Sequence, residues 1–418
     1  MIVKIYPGFA KGQISVPPSK SLLHRAIICA SLAKGKSVIR NVSFSDDIKA
    51  TINAFKTLGV RINKLENALE VNGNGNLSFF GDEVIDCKES GSTLRFLLPI
   101  FSNNKGIVFT GKSSLLRRPL SIYEEIFKDN KMIFENVNNK LFVKNELPAN
   151  NYKVFGDVSS QFISGLLFTL PLKKENSTIR IIGNLESKKY VDMTIKVMNH
   201  FGIKIITRNN VYYIKGNQQY KPYDYKVESD FSQLAFFAVA GIINGDVKIM
   251  NINKDSLQPD SKIIDIIKEM NGKVLKEKTS LRFIKSETTG IEIDVSQYPD
   301  IAPILSILGG LSKGITNINN GKRLRFKETD RLSAINQILN LLGVNTIINN
   351  DSYQVNGESY FLSNNFDSYN DHRMVMSIAI AALRAEGPLI INRAEAINKS
   401  YPEFFDDLQS LGIKIEYL

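Results

Sequence analysis

The chain has 418 residues, of which 43% are apolar, and a formal net charge of +11. That length exceeds the ~250–300 residues at which a single core usually divides, so two domains are expected. The longest apolar runs, 235–243 and 374–383, fall well short of the ~18–20 residues that a membrane span requires.

The chain opens on MIVKIY, which alternates as a strand does and carries no basic-then-apolar targeting pattern ahead of it, so the expectation is a cytoplasmic protein. Nucleic acid is the first partner that a basic chain suggests. Here the lysines are dispersed, no run of five basic residues occurs, and aromatics do not interleave with them. A small acidic substrate fits better, with no nucleic-acid or membrane partner. Cys29 and Cys87 supply no disulfide framework, and His24, His200 and His372 lack metal-ligand spacing.

Along the chain, Ser19, Ser90, Ser159, Ser229, Asp300 and Asp371 recur at intervals of 69 to 71 residues. Each precedes a short apolar helix, predicted at 22–33, 93–101, 162–170, 231–243, 301–311 and 374–383. A turn, usually with Gly, leads to a strand, predicted at 37–40, 107–110, 177–182, 246–250, 315–318 and 389–392. An amphipathic helix follows, often closed by a C-cap glycine (Gly59, Gly202, Gly343, Gly412), and then a polar hairpin such as 61–72 or 204–215. The sixth unit lacks its last strand, which the N-terminal MIVKIY segment could supply. Three units per domain place the boundary before Ser229, in the Tyr-rich segment 219–227, with a second crossing at Pro17-Pro18. The domains are therefore expected at 19–227 and at 1–18 with 228–418. Residues 220–225 are read as packing between the halves.

The first helix of each unit is apolar nearly all round and is expected inside its domain. Its polar residues gather at the N-terminus, where they cap free N–H groups and where the helix dipole favours anions. No GxxxxGK[ST] or GxGxxG motif is present, so ATP or NAD dependence is not indicated. The most unusual stretch is Lys327-Glu328-Thr329-Asp330-Arg331-Leu332. With Ile335, Ile338, Leu339 and Leu342 following, it is predicted to open an amphipathic helix. On that helix Arg331 and Glu328 face the apolar side, Lys327 sits at its edge, and Thr329 and Asp330 point away. This reads as an anion-binding, acid–base site.

Several motifs occur in order. They are Pro18-Ser19-Lys20-Ser21 with Arg25, Arg118-Pro119, Val158-Ser159-Ser160-Gln161-Phe162, Pro299-Asp300, the Lys327–Leu332 stretch, Asn370-Asp371-His372-Arg373-Met374, and Lys399 with Pro402. Over its whole length the chain thereby resembles the EPSP synthase (3-phosphoshikimate 1-carboxyvinyltransferase) family of enolpyruvyl transferases. The resemblance implies a two-domain, inside-out α/β barrel of six βαβαββ repeats, three per domain, with helices inside, sheets outside and the site in the interdomain cleft. It implies transfer of the enolpyruvyl group of phosphoenolpyruvate to the 5-hydroxyl of shikimate 3-phosphate through a tetrahedral intermediate, with no metal and no organic cofactor. By the matching motifs, phosphoenolpyruvate would meet Lys20, Gly91, Arg118, Gln161, Arg331, Arg373 and Lys399. Shikimate 3-phosphate would meet Lys20, Ser21, Arg25, Ser159, Ser160, Gln161, Ser187, Tyr190, Asp300 and Lys327. Asp300, Glu328 and Lys20 would be catalytic: Asp300 toward the hydroxyl, Glu328 toward the methylene carbon, Lys20 toward the departing phosphate. Glu89, Ser90 and Phe96 depart from residues frequent in the family, and the role that some members give to the position of Arg323 is not carried over.

The rival reading is the sister activity, UDP-N-acetylglucosamine 1-carboxyvinyltransferase. That family usually has Lys-Asn in the first helical turn and a reactive loop cysteine, whereas this chain has Lys20-Ser21. A non-enzymatic polyanion-binding scaffold would account for the charge but not for Asp300 and Glu328. Cys29 and His24 are read as core residues, His372 as a capping or loop-bonding residue, and Arg95 as either structural or substrate-facing. A monomer whose halves close on anionic substrates is expected.

Overall fold

The computed structural model describes residues 1–75 and 77–418. It divides into two compact units, Met1–Pro17 with Glu228–Leu418, and Pro18–Val227. Pro18 thus falls with the second unit.

Among the described residues the strands form six four-stranded sheets that share one pattern. In each, an edge strand lies parallel to its neighbour, and an antiparallel pair completes the sheet. Asn151–Phe155, for example, runs parallel to Ser177–Ile182, which pairs antiparallel with Val211–Ile214 and through it with Ile205–Arg208. Two sheets take their edge strand from a chain crossing. Ala10–Ile14 adds in parallel to Gly245–Ile249, and Tyr225–Lys226 adds in parallel to the end of Lys34–Arg40. The N-terminal strand Ile2–Ile5 lies between Leu389–Asn392 and Ile415–Tyr417, antiparallel to both. Its alternation leaves Val3 and Ile5 fully buried.

The segment 220–225, expected to pack between the halves, makes its contacts within the second unit. Tyr220 is buried, with its hydroxyl donating to the Phe168 carbonyl, and Tyr223 and Tyr225 lie against His200 and Phe201. Tyr225 then pairs as an edge strand, which satisfies backbone groups that would otherwise stay open.

The apolar helices form where the pattern places them: Lys20–Leu32, Gly91–Phe101, Ser160–Thr169, Phe231–Asn244, Ala302–Gly309 and His372–Ala381. A helix with no polar face must be covered on every side. In Phe231–Asn244 every residue through Ile243 is buried, and the three apolar helices of that unit, Phe231–Asn244, Ala302–Gly309 and His372–Ala381, pack on one another. Each large apolar side chain so buried contributes roughly 1.5–3 kcal/mol. In the second unit, Gly91–Phe101 lies against Ser160–Thr169 so closely that a Cβ at Gly165 would stand 2.6 Å from the Arg95 carbonyl. The C-cap glycines Gly59, Gly202, Gly343 and Gly412 all have positive φ, the left-handed cap that ends a helix and that L side chains resist.

Two helix starts differ from expectation. Asp230 rather than Ser229 caps the fourth apolar helix, accepting from the Ser232 and Gln233 amides. A carboxylate one residue closer to the first turn reaches those amides, while Ser229 donates to the Asn251 carbonyl. Asp300 lies in a short 3-10 turn, Pro299–Ile301, ahead of its helix, which leaves its carboxylate available to side chains. The turn expected between the fourth apolar helix and its strand is absent, since Phe231–Asn244 runs directly into Gly245–Ile249. No helix among the described residues is long and apolar enough to cross a membrane.

Candidate active site

The helix expected from Lys327 begins at Arg331 instead, and Asp330 is its N-cap. The Asp330 carboxylate accepts from the Ser333 amide at 3.2 Å and from the Ser333 hydroxyl at 2.8 Å, and pairs with Arg325 at 2.9 Å. That cap fixes the start of the helix. A 3-10 turn, Lys322–Phe326, precedes it, so Lys327 and Glu328 belong to a connecting segment and not to the helix face. Asp330 thus has a structural role, as the cap of this helix, where the sequence pattern gives only that it points away from the apolar face.

Arg331 is the centre of the first unit's cluster and is 1% exposed. Its Nε donates to Asp371 Oδ2 at 2.8 Å and its Nη2 to Asp371 Oδ1 at 3.2 Å. Nη2 also reaches Glu328 Oε2 at 2.7 Å, and Nη1 reaches Asp300 Oδ1 at 3.1 Å. Asp300 is further paired with Lys327 Nζ at 3.1 Å and Arg373 Nη2 at 3.2 Å. Lys399 donates from Nζ to the carbonyl of Asn370, next to Asp371. Six expected residues, Asp300, Lys327, Glu328, Arg331, Arg373 and Lys399, thus fall in one neighbourhood organised by Asp371.

The electrostatics follow from this crowding. Burial alone would raise the Asp300 carboxyl, but Arg373, Lys327 and Arg331 outweigh it and hold that carboxyl well below its ordinary range. Burial lowers Lys327, with Asp300 working against it. For Arg331 burial is opposed by Asp371, Glu328 and Asp300, which together raise it. Asp260, almost fully buried and bonded to the Ser232 hydroxyl, is pushed up to about 6 by burial and then by the Asp300 charge.

The second unit holds the remaining expected residues in two groups. Lys20, at the start of its helix, pairs with Asp47 at 2.6 Å. One turn on, Arg25 is 2% exposed: its Nε donates to Thr194 Oγ1 at 2.7 Å, Nη1 to the Ser21 carbonyl at 2.6 Å and Nη2 to the Tyr190 carbonyl at 3.1 Å. Burial lowers this guanidinium to about 10, so it stays charged. Ser187 is buried with a left-handed backbone and precedes the helix Lys188–His200 that carries Tyr190 and Thr194. The other group surrounds Gly91. A Cβ there would stand 3.0 Å from Arg118 Nη1, 3.5 Å from Arg95 Nη1 and 3.8 Å from Gln161 Oε1. Gln161 accepts from Arg95 at 2.8 Å and donates to Ser92 at 3.0 Å. Ser159 caps the helix holding Ser160 and Gln161, accepting from the Gln161 amide at 3.3 Å. Glu89 pairs with Ser114 at 3.1 Å and Lys112 at 3.7 Å, which partly offsets its charge.

The sequence assigns no site role to Asp371, Asp47 or Asp260. Asp371 carried a signal, being a charged member of the recurring cap series. Asp47 and Asp260 carried none, because only tertiary packing brings them to Lys20 and Asp300. His24 and Cys29 are fully buried, as expected of core residues. Cys87 is buried too, and burial pushes both thiols upward, opposite to what a reactive thiolate needs.

Comparison with known proteins gives the family. The family model of EPSP synthase (3-phosphoshikimate 1-carboxyvinyltransferase) matches residues 7–408. A 3-phosphoshikimate 1-carboxyvinyltransferase of Clostridium kluyveri is 44% identical over 99% of this chain and 98% of its own length. One from Clostridioides difficile is 43% identical, also over 99% of this chain and 98% of its own length. In fold, the chain is similar to an EPSP synthase of Acinetobacter baumannii, with TM-score 0.83, 24% identity and full coverage of both chains. It is also similar to the enolpyruvyl transferase NikO of Streptomyces tendae, with TM-score 0.81, 14% identity and coverage of 100% of this chain and 98% of that one. With a match that spans nearly the whole chain and relatives above 40% identity over the same span, the chain belongs to the EPSP synthase (3-phosphoshikimate 1-carboxyvinyltransferase) family.

Proposed function

We infer that the protein transfers the enolpyruvyl group of phosphoenolpyruvate to the 5-hydroxyl of shikimate 3-phosphate, releasing phosphate, in the shikimate route to chorismate and the aromatic amino acids. The observation that carries the chemical reading is the Asp300–Arg331–Glu328 arrangement. Two carboxylates share one buried guanidinium, with Lys327 and Arg373 on Asp300.

In this reading the carboxylate of phosphoenolpyruvate takes Arg331 and Arg373, and its phosphate takes Lys20, Arg118 and Lys399. Gly91 and Gln161 line its other side. Shikimate 3-phosphate takes Lys20, Ser21, Arg25, Ser159, Ser160, Gln161, Ser187, Tyr190, Asp300 and Lys327. Substrate anions that engage the cations around Asp300 weaken the interactions that hold its carboxyl low, so its basicity rises once the site is filled. Asp300 then accepts the 5-hydroxyl proton as that oxygen bonds to the central carbon of phosphoenolpyruvate. Glu328 delivers a proton to the methylene carbon, which becomes the methyl group of the tetrahedral intermediate. In the elimination the methyl group returns its proton to Glu328 as the carbon–carbon double bond re-forms, the carbon–oxygen bond to phosphate breaks, the proton held by Asp300 leaves with the phosphate, and Lys20 stabilises that leaving group. The reading needs both units to meet the same two substrates. It extends to an inside-out arrangement of six repeats and to a cytoplasmic monomer, with mass by light scattering as the check on the latter.

Phosphate release that requires phosphoenolpyruvate and shikimate 3-phosphate together tests the function. Release with UDP-N-acetylglucosamine in place of shikimate 3-phosphate would favour the sister activity, against which the buried thiols already speak. In single-turnover assays Glu328→Gln and Asp300→Asn should each slow chemistry at least ~100-fold. Near-normal chemistry in either variant removes that residue from its role.

A further inference from the structure

A continuous line of buried hydroxyls runs beneath the Gly91 turn and ends on His24. The His24 ring is fully buried, as are Thr51, Thr93 and Ser90. His24 Nδ1 lies 2.8 Å from Thr51 Oγ1, and Thr51 Oγ1 lies 2.7 Å from Thr93 Oγ1. Thr93 Oγ1 donates to Ser90 Oγ at 2.7 Å, with the Asp47 carbonyl 3.4 Å away as a further acceptor. Ser90 Oγ also accepts the Thr93 amide at 3.1 Å and so caps the helix that begins at Gly91.

His24 is neutral, because burial and then the charges of Lys20 and Arg25 hold it well below its ordinary value. A neutral ring has one N–H and one bare nitrogen. His24 Nε2 is buried and has no hydrogen-bond partner among the described residues. An N–H placed there would be an orphaned buried donor, which is rarer and costlier than a bare acceptor. The proton therefore belongs on Nδ1. It donates to Thr51, the Thr51 hydroxyl donates to Thr93, and the Thr93 hydroxyl is left for Ser90. Each member has one proton to give, so the direction set at His24 propagates to the cap.

The line ends on features that the functional reading assigns to phosphoenolpyruvate. Ser90 positions Gly91, whose missing side chain leaves the gap beside Arg118, and Ser92 follows it with its bond to Gln161. Asp47, whose carbonyl faces Thr93, holds Lys20. Resting on that reading, we propose that His24, as the neutral Nδ1–H tautomer, is a positioning residue for the phosphoenolpyruvate side of the site. It heads a one-way hydrogen-bond chain through Thr51 and Thr93 that fixes the Ser90 cap and the Gly91 turn.

The test uses the full chain and three variants. His24→Leu removes the donor, Thr51→Val cuts the chain with little change of shape, and His24→Asn keeps an N–H where Nδ1 stood. Losing one buried donor should raise KM for phosphoenolpyruvate about tenfold in His24→Leu and Thr51→Val, with KM for shikimate 3-phosphate within about twofold of wild type. His24→Asn should recover to within about threefold of wild type. Equal rises in both KM values, or no change in Thr51→Val, would overturn the role. Long-range 1H–15N spectra of the wild-type protein give a readout independent of turnover: a protonated Nδ1 and a bare Nε2 from pH 6 to 8 support the chain, and an Nε2–H ring overturns it. If wild-type protein releases no phosphate from the two substrates, the functional reading fails and the positioning role with it. Normal turnover with an Nε2–H ring overturns the chain alone.

Discussion

Asp371→Asn isolates the contact on which the first unit's cluster depends. Asp371 and Arg331 are both essentially inaccessible, at 0% and 1% exposure, and share two hydrogen bonds of 2.8 and 3.2 Å. The asparagine can keep one oxygen for the Arg373 amide, which Asp371 caps at 2.9 Å, so the helix start is preserved. Its amide nitrogen then faces the Arg331 Nε–H, donor against donor, and the guanidinium loses its fully buried counter-charge. Removing one partner of a buried ion pair costs about 3–5 kcal/mol. For a cooperative unit of about 200 residues each kcal/mol lowers Tm by about 2–4 °C, so a fall of about 6–20 °C is expected. If both units melt together the fall should be about half as large. Scanning calorimetry at pH 7 measures it, with the helical circular dichroism signal confirming that the cold variant is folded. KM for phosphoenolpyruvate should rise in the same variant, since Arg331 would lose its fixed orientation. A shift below 2 °C with unchanged KM would show that Glu328 and Asp300 suffice to hold Arg331 and would refute the argument.

Gly91→Ala should raise KM for phosphoenolpyruvate several-fold while sparing shikimate 3-phosphate and Tm, because the new methyl stands 3.0 Å from Arg118 Nη1, the far end of a flexible side chain; steady-state kinetics with each substrate varied in turn decide it. Asp260 gives a pH signature. Its folded value of about 6 lies above an unfolded value near ~3.9, so the native state binds this proton more tightly. The associated stability is fully present below about pH 4 and is lost as pH rises through about 6, to a total of roughly 3 kcal/mol. Asp260→Asn should therefore gain in Tm relative to wild type between pH 4.5 and pH 8, and a difference that stays flat or reverses across that range would count against the buried carboxyl.

Periodicity made much of this architecture legible. A helix such as Phe231–Asn244 announces itself because its run from Leu234 to Ile243 is apolar and has no face to give to water, and its strand Gly245–Ile249 follows at once. Gly59, Gly202, Gly343 and Gly412 mark helix ends because the left-handed cap excludes most other residues. Lys20, Ser90, Ser159 and Asp371 could be placed at the starts of buried helices because a polar residue flanking an apolar run has few other uses than capping it.

What spacing along the chain could not give is partnership across it. Arg331 and Asp371 are 40 residues apart and Lys20 and Asp47 are 27 apart, and no local pattern ties either pair. The start of the Arg331 helix was misjudged for a related reason. A charged stretch ahead of an apolar period is compatible with several first turns, and the choice fell to Asp330, held by Ser333 and Arg325. The exchange of the edge strands Ala10–Ile14 and Tyr225–Lys226 was likewise hidden, since an edge strand of two to five residues has too short a pattern to name its sheet. The sequence by itself determined which segments are helix, strand and turn, because these follow from side-chain period and backbone preference within a few residues. Only the tertiary structure decided which charges neutralise one another and which proton His24 keeps, because those depend on distances of about 3 Å between atoms that the chain brings together only when it is folded.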